Sequence, residues 1–179
     1  MLKVASYDIV FQEIPDETTL ALNLSQCPNH CDGCHSPHLR QDTGKVLDID
    51  LLVDLYEHNE SAVTCICFMG GDGDPTALEN LIEDFRSEFT IRDKETGFKK
   101  YVGPKIGWYS GNDWLPRDFK TELFDYIKLG HYDKELGPLN KPTTNQRLYA
   151  YNPCWSCWSS IGKSWKDITS NFWKNGNNA

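Results

Sequence analysis

The segment Thr18-Thr-Leu-Ala-Leu-Asn-Leu-Ser-Gln-Cys-Pro-Asn-His-Cys-Asp-Gly-Cys34 carries two signals in direct succession. Thr18 to Ser25 alternates, with Leu20, Leu22 and Leu24 on one face, and so predicts a β-strand. That strand runs straight into a loop holding Cys27, Cys31 and Cys34 at C-x3-C-x2-C spacing, which places three thiols at the strand's C-terminal end. Thiolates this close in sequence can each reach a different corner of an iron-sulfur cubane and leave one iron unligated by protein, whereas structural zinc takes four closed ligands. The spacing therefore predicts an open metal site.

Two other readings compete with it: three small buried hydrophobes, or a zinc site completed by His30 or His35. The loop is built of Pro, Asn, Asp, Gly and His and offers no apolar core for a thiol to join, which argues against the first. Spacing alone does not exclude the second. A turn farther along the chain weighs against it.

Outward from this segment, strands and helices alternate. A helix capped by Asp48 carries Leu51, Leu52, Leu55 and Tyr56 as its apolar stripe. Ala62 to Met69 is apolar on both faces, as a strand is when helices cover a parallel sheet. It ends in Gly70-Gly71-Asp72-Gly73-Asp74-Pro75, where Asp74 and Pro75 open a helix bearing Leu78, Leu81, Ile82, Phe85 and Phe89. Lys105 to Tyr109 predicts a third strand leading into Ser110-Gly111-Asn112. After a short helix near 118–123, Phe124 to Leu129 predicts a fourth strand and Arg147 to Tyr151 a fifth.

This succession predicts an α/β fold, a partial (open) β/α barrel of mostly parallel strands joined by crossover helices. The cysteine loop, the Gly70-Gly71-Asp72 turn and Ser110-Gly111-Asn112 then gather at the strands' C-terminal ends. Glycines there let a ligand lie against bare peptide groups, and a carboxylate beside them can accept hydrogen bonds from an ammonium.

A C-x3-C-x2-C loop followed, after the next strand, by Gly70-Gly71-Asp72 resembles the radical S-adenosylmethionine (radical SAM) superfamily. Four stretches, the cysteine loop among them, are similar to the activating proteins of anaerobic ribonucleoside-triphosphate reductases: Cys-Pro-Asn-His-Cys-Asp-Gly-Cys-His-Ser-Pro at 27–37, Gly107-Trp108-Tyr109-Ser110-Gly111, Asp125-Tyr126-Ile127-Lys128-Leu129-Gly130, and Pro142-Thr143-Thr144-Asn145-Gln146-Arg147. The likeness runs from about residue 15 to residue 151.

It implies a barrel of the radical SAM type and one [4Fe-4S] cluster on Cys27, Cys31 and Cys34, with S-adenosylmethionine chelating the open iron. Gly70, Gly71 and Asp72 would meet the methionine amino group, Gly33 and His35 would flank the ligand, and Ser110 and Asn112 would bond its ribose. Many relatives have glutamate where this chain has Asp72. The implied activity is a glycyl-radical activase, whose 5′-deoxyadenosyl radical takes a hydrogen from a backbone glycine of the reductase large subunit. A small electron donor such as a flavodoxin serves the cluster, and no side chain here acts as acid or base. The alternatives are a radical SAM enzyme acting on a small molecule, of the deazapurine synthase type, and a non-catalytic zinc-binding scaffold.

Composition sets the outer bounds. The 179 residues suit one domain, and 39% hydrophobic residues with 12% aromatics supply a core. Eighteen basic against 26 acidic residues give a net charge of −8, which argues against nucleic acid as a partner. The opening Met-Leu-Lys-Val-Ala-Ser-Tyr-Asp has no apolar signal core and no eighteen apolar residues run together, so no membrane association and a cytoplasmic location are expected. Seven cysteines, an odd number and partly grouped, point to metal or redox use more than to disulfides.

Residues 1–151 are expected to form the core unit, and 152–179 a Trp- and Cys-rich tail that is not an independent domain. Cys65 and Cys67 alternate on a buried strand and read as core packing. Cys154 and Cys157 form a C-x2-C pair in the tail, where Ile161, Trp165, Ile168 and Phe172 recur at helical spacing.

Overall fold

The face that alternation marks on the strand Thr19–Leu24 is buried throughout: Leu20, Leu22 and Leu24 are each 1% exposed or less. This strand lies inside one large sheet. The computed structural model describes residues 1–152 and 164–173. In chain order the elements are β1 (Lys3–Val10), β2 (Thr19–Leu24), β3 (Lys45–Val46), α1 (Ile49–Glu57), β4 (Cys65–Met69), α2 (Pro75–Glu88), β5 (Thr90–Arg92), β6 (Lys99–Tyr101), β7 (Lys105–Tyr109), β8 (Tyr126–Leu129), β9 (Arg147–Asn152) and β10 (Ser164–Asp167).

Eight of these strands form the sheet, in the order β10-β9-β8-β7-β4-β2-β1-β3, while β5 and β6 pair as a separate hairpin. Strands β2, β4, β7 and β8 run parallel to one another. β1 pairs antiparallel with β2 and with β3, and β9 pairs antiparallel with β8 and with β10.

The expected partial barrel with crossover helices is therefore corrected to an open, mixed, eight-stranded sheet with two α-helices among the described residues. The physical reason lies in the connections. Helices α1 and α2 form where Asp48 and Asp74 cap them, accepting from the amides of Leu51 (2.9 Å) and Ala77 (3.1 Å), and each carries the chain back for a parallel return. Between β7 and β8 the return is made with only a 3₁₀ turn at Thr121–Leu123. The segment 130–146, rich in Pro, Gly, Asn and Lys, has no helical periodicity, and β9 comes back antiparallel. The sequence also shows no alternation strong enough to reveal β1, whose partner strand turns that edge antiparallel as well.

Helices cover one face of the sheet. Ile66, Phe68, Ile106, Trp108 and Ile127 pack there against Leu52, Leu78, Ile82 and Phe85. The other face holds a smaller cluster of Ile14, Cys65, Cys67, Tyr126 and Leu148, with Met69, Tyr109, Ile168 and Phe172 around it. In the tail, Trp165 lies on an edge strand and Ile168 and Phe172 flank and end a 3₁₀ turn, so their helical spacing does not produce a helix. Ile161, Cys154 and Cys157 lie outside the described residues.

At the N-terminal ends of the parallel strands the buried Glu17 carboxylate ties three of them together. It accepts from Lys105 Nζ (2.5 Å), Tyr126 Oη (2.7 Å) and Thr64 Oγ1 (2.7 Å). Burial alone would raise the Glu17 pKa, but these hydrogen bonds outweigh it and hold the carboxyl below its ordinary value. Its stabilisation is thus present above the pKa of the unfolded chain and is lost as pH falls through the lower folded value. Glu17→Gln is expected to lower the unfolding free energy by ~1–3 kcal/mol at neutral pH, with the difference from wild type shrinking in acid. Urea denaturation at the two pH values checks both the size and the trend.

Candidate functional site

Parallel strands present their C-terminal ends along one edge, so the loops after β2, β4, β7 and β8 are neighbours. The cysteine loop follows β2, Gly70-Gly71-Asp72 follows β4, Ser110-Gly111-Asn112 follows β7, and Gly130-His131 follows β8.

The first loop is pinned by backbone. Cys27 N–H donates to Leu39 O (3.0 Å) and Gln26 N–H to Gln41 O (3.2 Å), while Arg40 Nη2 donates to Cys31 O (3.0 Å). Cys27, Cys31 and Cys34 are all unpaired and half-buried. Burial pushes the Cys27 thiol up, and the charges of Asp72, Cys31 and Cys34 add to that. Three thiolates in this loop repel one another, so ligation to a cation is what would stabilise them together.

The second turn is held by what surrounds it. Gly70 and Gly71 have φ of +110° and +89°, the left-handed region open to glycine. The buried Trp108 indole N–H donates to Gly70 O (2.8 Å), and Gly70 N–H donates to Tyr109 O (2.9 Å). These contacts aim Asp72 into the neighbouring loops.

Asp72 is 9% exposed and joins three of the loops. Its Oδ1 accepts from Ser110 Oγ (2.5 Å), and its Oδ2 accepts from Gly111 N–H (2.9 Å) and from Asn29 Nδ2 (3.3 Å) in the cysteine loop. A carboxylate has about four lone-pair sites, so one remains for a ligand's ammonium. A Cβ at Gly111 would stand 2.6 Å from Asn29 Nδ2, which is why the β7 turn carries glycine at this crossing.

The sequence-derived candidates are thus brought together unequally. Asp72, Gly70 and Gly71 meet the cysteine loop through Asn29, which the spacing argument passed over. Ser110 is fully buried and spends its hydroxyl on Asp72 and on the Asn112 amide (3.0 Å). Asn112 enters through its backbone, its carbonyl accepting from Gly130 N–H (2.8 Å). Gly33, at φ +71°, lies against Lys134 and Tyr132, and the exposed His35 ring packs on Tyr132 at 4.9 Å between centroids. His35 also lines a solvent-open cleft of about 1330 Å³ on the sheet face away from the helices, with Met69, Tyr109, Tyr132, Glu13 and Phe11. Burial raises the Glu13 pKa there, against a smaller opposing effect of Lys128.

Lys128 lies in one of the stretches that carry the resemblance, yet the sequence reading gave it no role. It is buried on β8, and its ammonium donates to Gly130 O (2.7 Å) and Ser110 O (3.2 Å). Burial lowers its pKa to about 8, even though Asp72 and Cys31 pull the other way. A lone charge inside the apolar run Tyr-Ile-Lys-Leu was the signal for it.

Sulfur donors of this kind suit an iron-sulfur cluster or zinc. Among the described residues no three His, Cys, Asp or Glu side chains converge as a single metal ion requires. A cubane asks for less convergence, because each thiolate meets a different iron. Free thiols on one pinned loop, mutually coupled by charge, fit the cluster. No helix among the described residues is long and apolar enough to cross a membrane. Comparison with family models, with curated proteins and with solved structures finds no match.

Removing the Asp72 carboxylate leaves Ser110, Gly111 and Asn29 without their acceptor. Asp72→Ala is expected to cost the apoprotein about 2 kcal/mol, read by denaturant unfolding, whereas an unchanged midpoint would show that the three loops do not depend on this residue.

Proposed function

We propose that this chain is a radical SAM activase that installs a glycyl radical on the large subunit of an anaerobic ribonucleoside-triphosphate reductase. The observation that carries the reading is the meeting of its two motifs: Asp72, after β4, is hydrogen-bonded to Asn29 inside the cysteine loop after β2. Sequence spacing required no such meeting, and a zinc scaffold has no use for it.

Cys27, Cys31 and Cys34 would hold a [4Fe-4S] cluster, which supplies, with S-adenosylmethionine on its open iron, the reductive cleavage that yields a 5′-deoxyadenosyl radical. The chain's own residues bind and orient. The remaining acceptor site on Asp72 takes the ligand's ammonium, and the glycine backbone at Gly70 and Gly71 lets the ligand approach the turn. Ser110 fixes the carboxylate's rotamer and so acts on the ligand through Asp72. His35 lines the cleft and Gly33 lies against Tyr132, another of its lining residues, while Asn112 joins the same group of loops through its backbone amide, which donates to Ser110 Oγ. No proton transfer is assigned to any side chain.

A protein loop as substrate accords with the open cleft beside His35, which leaves room for a partner's extended backbone. The partner would then complete the shielding of the radical. A small reductant such as a flavodoxin supplies the electron, and an oxygen-poor cytoplasm suits the exposed cysteine loop.

Anaerobic reconstitution tests this directly. The wild-type chain should take up about four irons, show a reduced-cluster electron paramagnetic resonance signal, and change that signal when S-adenosylmethionine is added. Cys27→Ala, Cys31→Ala and Cys34→Ala should each lose the cluster, and Asp72→Asn should keep it while binding S-adenosylmethionine at least tenfold more weakly. Zinc uptake without a cluster signal would overturn the reading.

A further inference from the structure

We propose that Lys128 is the buried counter-charge of the cysteine site and sets the reduction potential of the cluster bound there. The inference rests on the cluster reading above and concerns a residue that neither motif contains.

Position comes first. One register row crosses the sheet at its C-terminal edge: Asn23 opposes Met69, Met69 opposes Tyr109, Tyr109 opposes Lys128, and Lys128 opposes Leu148. Met69, Tyr109 and Leu148 all face away from the helices, so Lys128 lies on the face that carries the cleft. Its ammonium is then folded onto the strand ends, donating to Ser110 O and Gly130 O. Ser110 is the same residue whose hydroxyl binds Asp72, so the cation and the Asp72 hub share a support.

Charge comes second. Lys128 is 8% exposed and is the one buried cation among the described residues. It has no carboxylate within salt-bridge distance among them, only the two carbonyls. A buried ammonium without an ion partner is costly, and an apolar residue of similar size is generally at least as stable in such a place. Packing alone does not call for a charge there. The anionic groups whose fields it feels include Asp72, Cys31, Asp113 and Cys67, and it acts in turn on the half-buried Glu13 carboxyl across the cleft face.

Other cations near the loop are poorer counter-charges. Lys134 pairs with the exposed Asp32, and the imidazole of His131 is committed to Asp113 at the rim. Arg40 holds the Cys31 carbonyl but stands partly in solvent, where its charge is screened more.

One-electron reduction of a [4Fe-4S]2+ cluster to [4Fe-4S]+ adds one negative charge to a site that already carries three thiolates. A buried positive charge nearby favours that reduced form, and the low local dielectric enlarges the effect. Outer groups of this kind are among the levers that set cluster potentials.

The test uses the full chain, reconstituted anaerobically as wild type, Lys128→Gln, Lys128→Met and Lys128→Arg. Each is titrated with dithionite, which supplies the electron, and the reduced fraction is read by electron paramagnetic resonance at poised potentials alongside iron content. Gln keeps a donor for the carbonyls and Met suits the apolar surroundings, so either neutral variant suffices if the other fails to fold.

The neutral variants are expected to bind the same iron, with a reduced-to-oxidised ratio at fixed potential about tenfold lower, a shift of ~59 mV for a one-electron couple. Lys128→Arg should stay near wild type. Unchanged potentials in the neutral variants would overturn the inference, and so would an Arg variant shifted as far as Met, which would mean a packing role. A wild-type chain that binds no cluster is a different result: it removes the reading on which the inference stands.

Discussion

A single buried carboxylate holds the functional edge together. Asp72 accepts from the loops after β2 and β7 while belonging to the turn after β4, so three segments far apart in sequence are fixed at one point. Taking a carboxylate out of water is costly unless donors replace the lost hydration. Here a hydroxyl, an amide N–H and a side-chain amide do so, and each comes from a residue constrained by that duty. Ser110 is buried, Gly111 has no room for a Cβ, and Asn29 lies between Cys27 and Cys31. The spacing of the cysteine loop is thereby tied to the sheet as well as to its own turns.

The two ends of the parallel strands treat their most buried charges in opposite ways. At the N-terminal ends charges are paired off: Glu17 with Lys105, and Arg86 with Asp125, whose Oδ2 also accepts from Ile106 N–H at 2.8 Å. Arg86 further donates to Leu123 O, which fastens α2 to the segment entering β8. These contacts need nothing from outside the chain. At the C-terminal ends Asp72 and Lys128 are both buried, each bonded to neutral groups and not to each other, beside three thiols. Charges left uncancelled where they are most costly set this end apart from the other and are the electrostatic ground for reading it as the candidate site.

How much of this was legible in the sequence depended on the range of the cause. Strand β2, helices α1 and α2, and strands β4 and β7 follow from local alternation, from Asp48 and Asp74 as caps, and from apolar runs, all within a few residues. Strand direction is not local. Whether β9 returns parallel or antiparallel depends on what 130–146 does in space, and β1 is set by pairing with a strand already in place. The barrel expectation failed for that reason. Within the site, the cysteines and the Gly-Gly-Asp turn were visible as spacing, but the bond from Asn29 to Asp72 and the burial of Lys128 exist only once the strands are adjacent.

Burial also separates two kinds of cysteine that composition alone lumps together. Cys65 and Cys67 alternate on β4, a few residues before Asp72, and both are fully buried against Ile14, Tyr126 and Leu148. Burial is the main cause pushing both thiols up, so the thiolate that metal ligation needs is the form this core disfavours most. Cys67 Sγ instead lies 3.6 Å from Met69 Sδ, and a Cβ at Gly107 would come within 3.2 Å of it. A thiol so enclosed has no path to an incoming iron. The cysteine loop offers the reverse, with half-exposed sulfurs on a backbone pinned at Cys27 and Cys31. The sheet itself thus separates the two sets of thiols, drawing one into its core and holding the other at its rim.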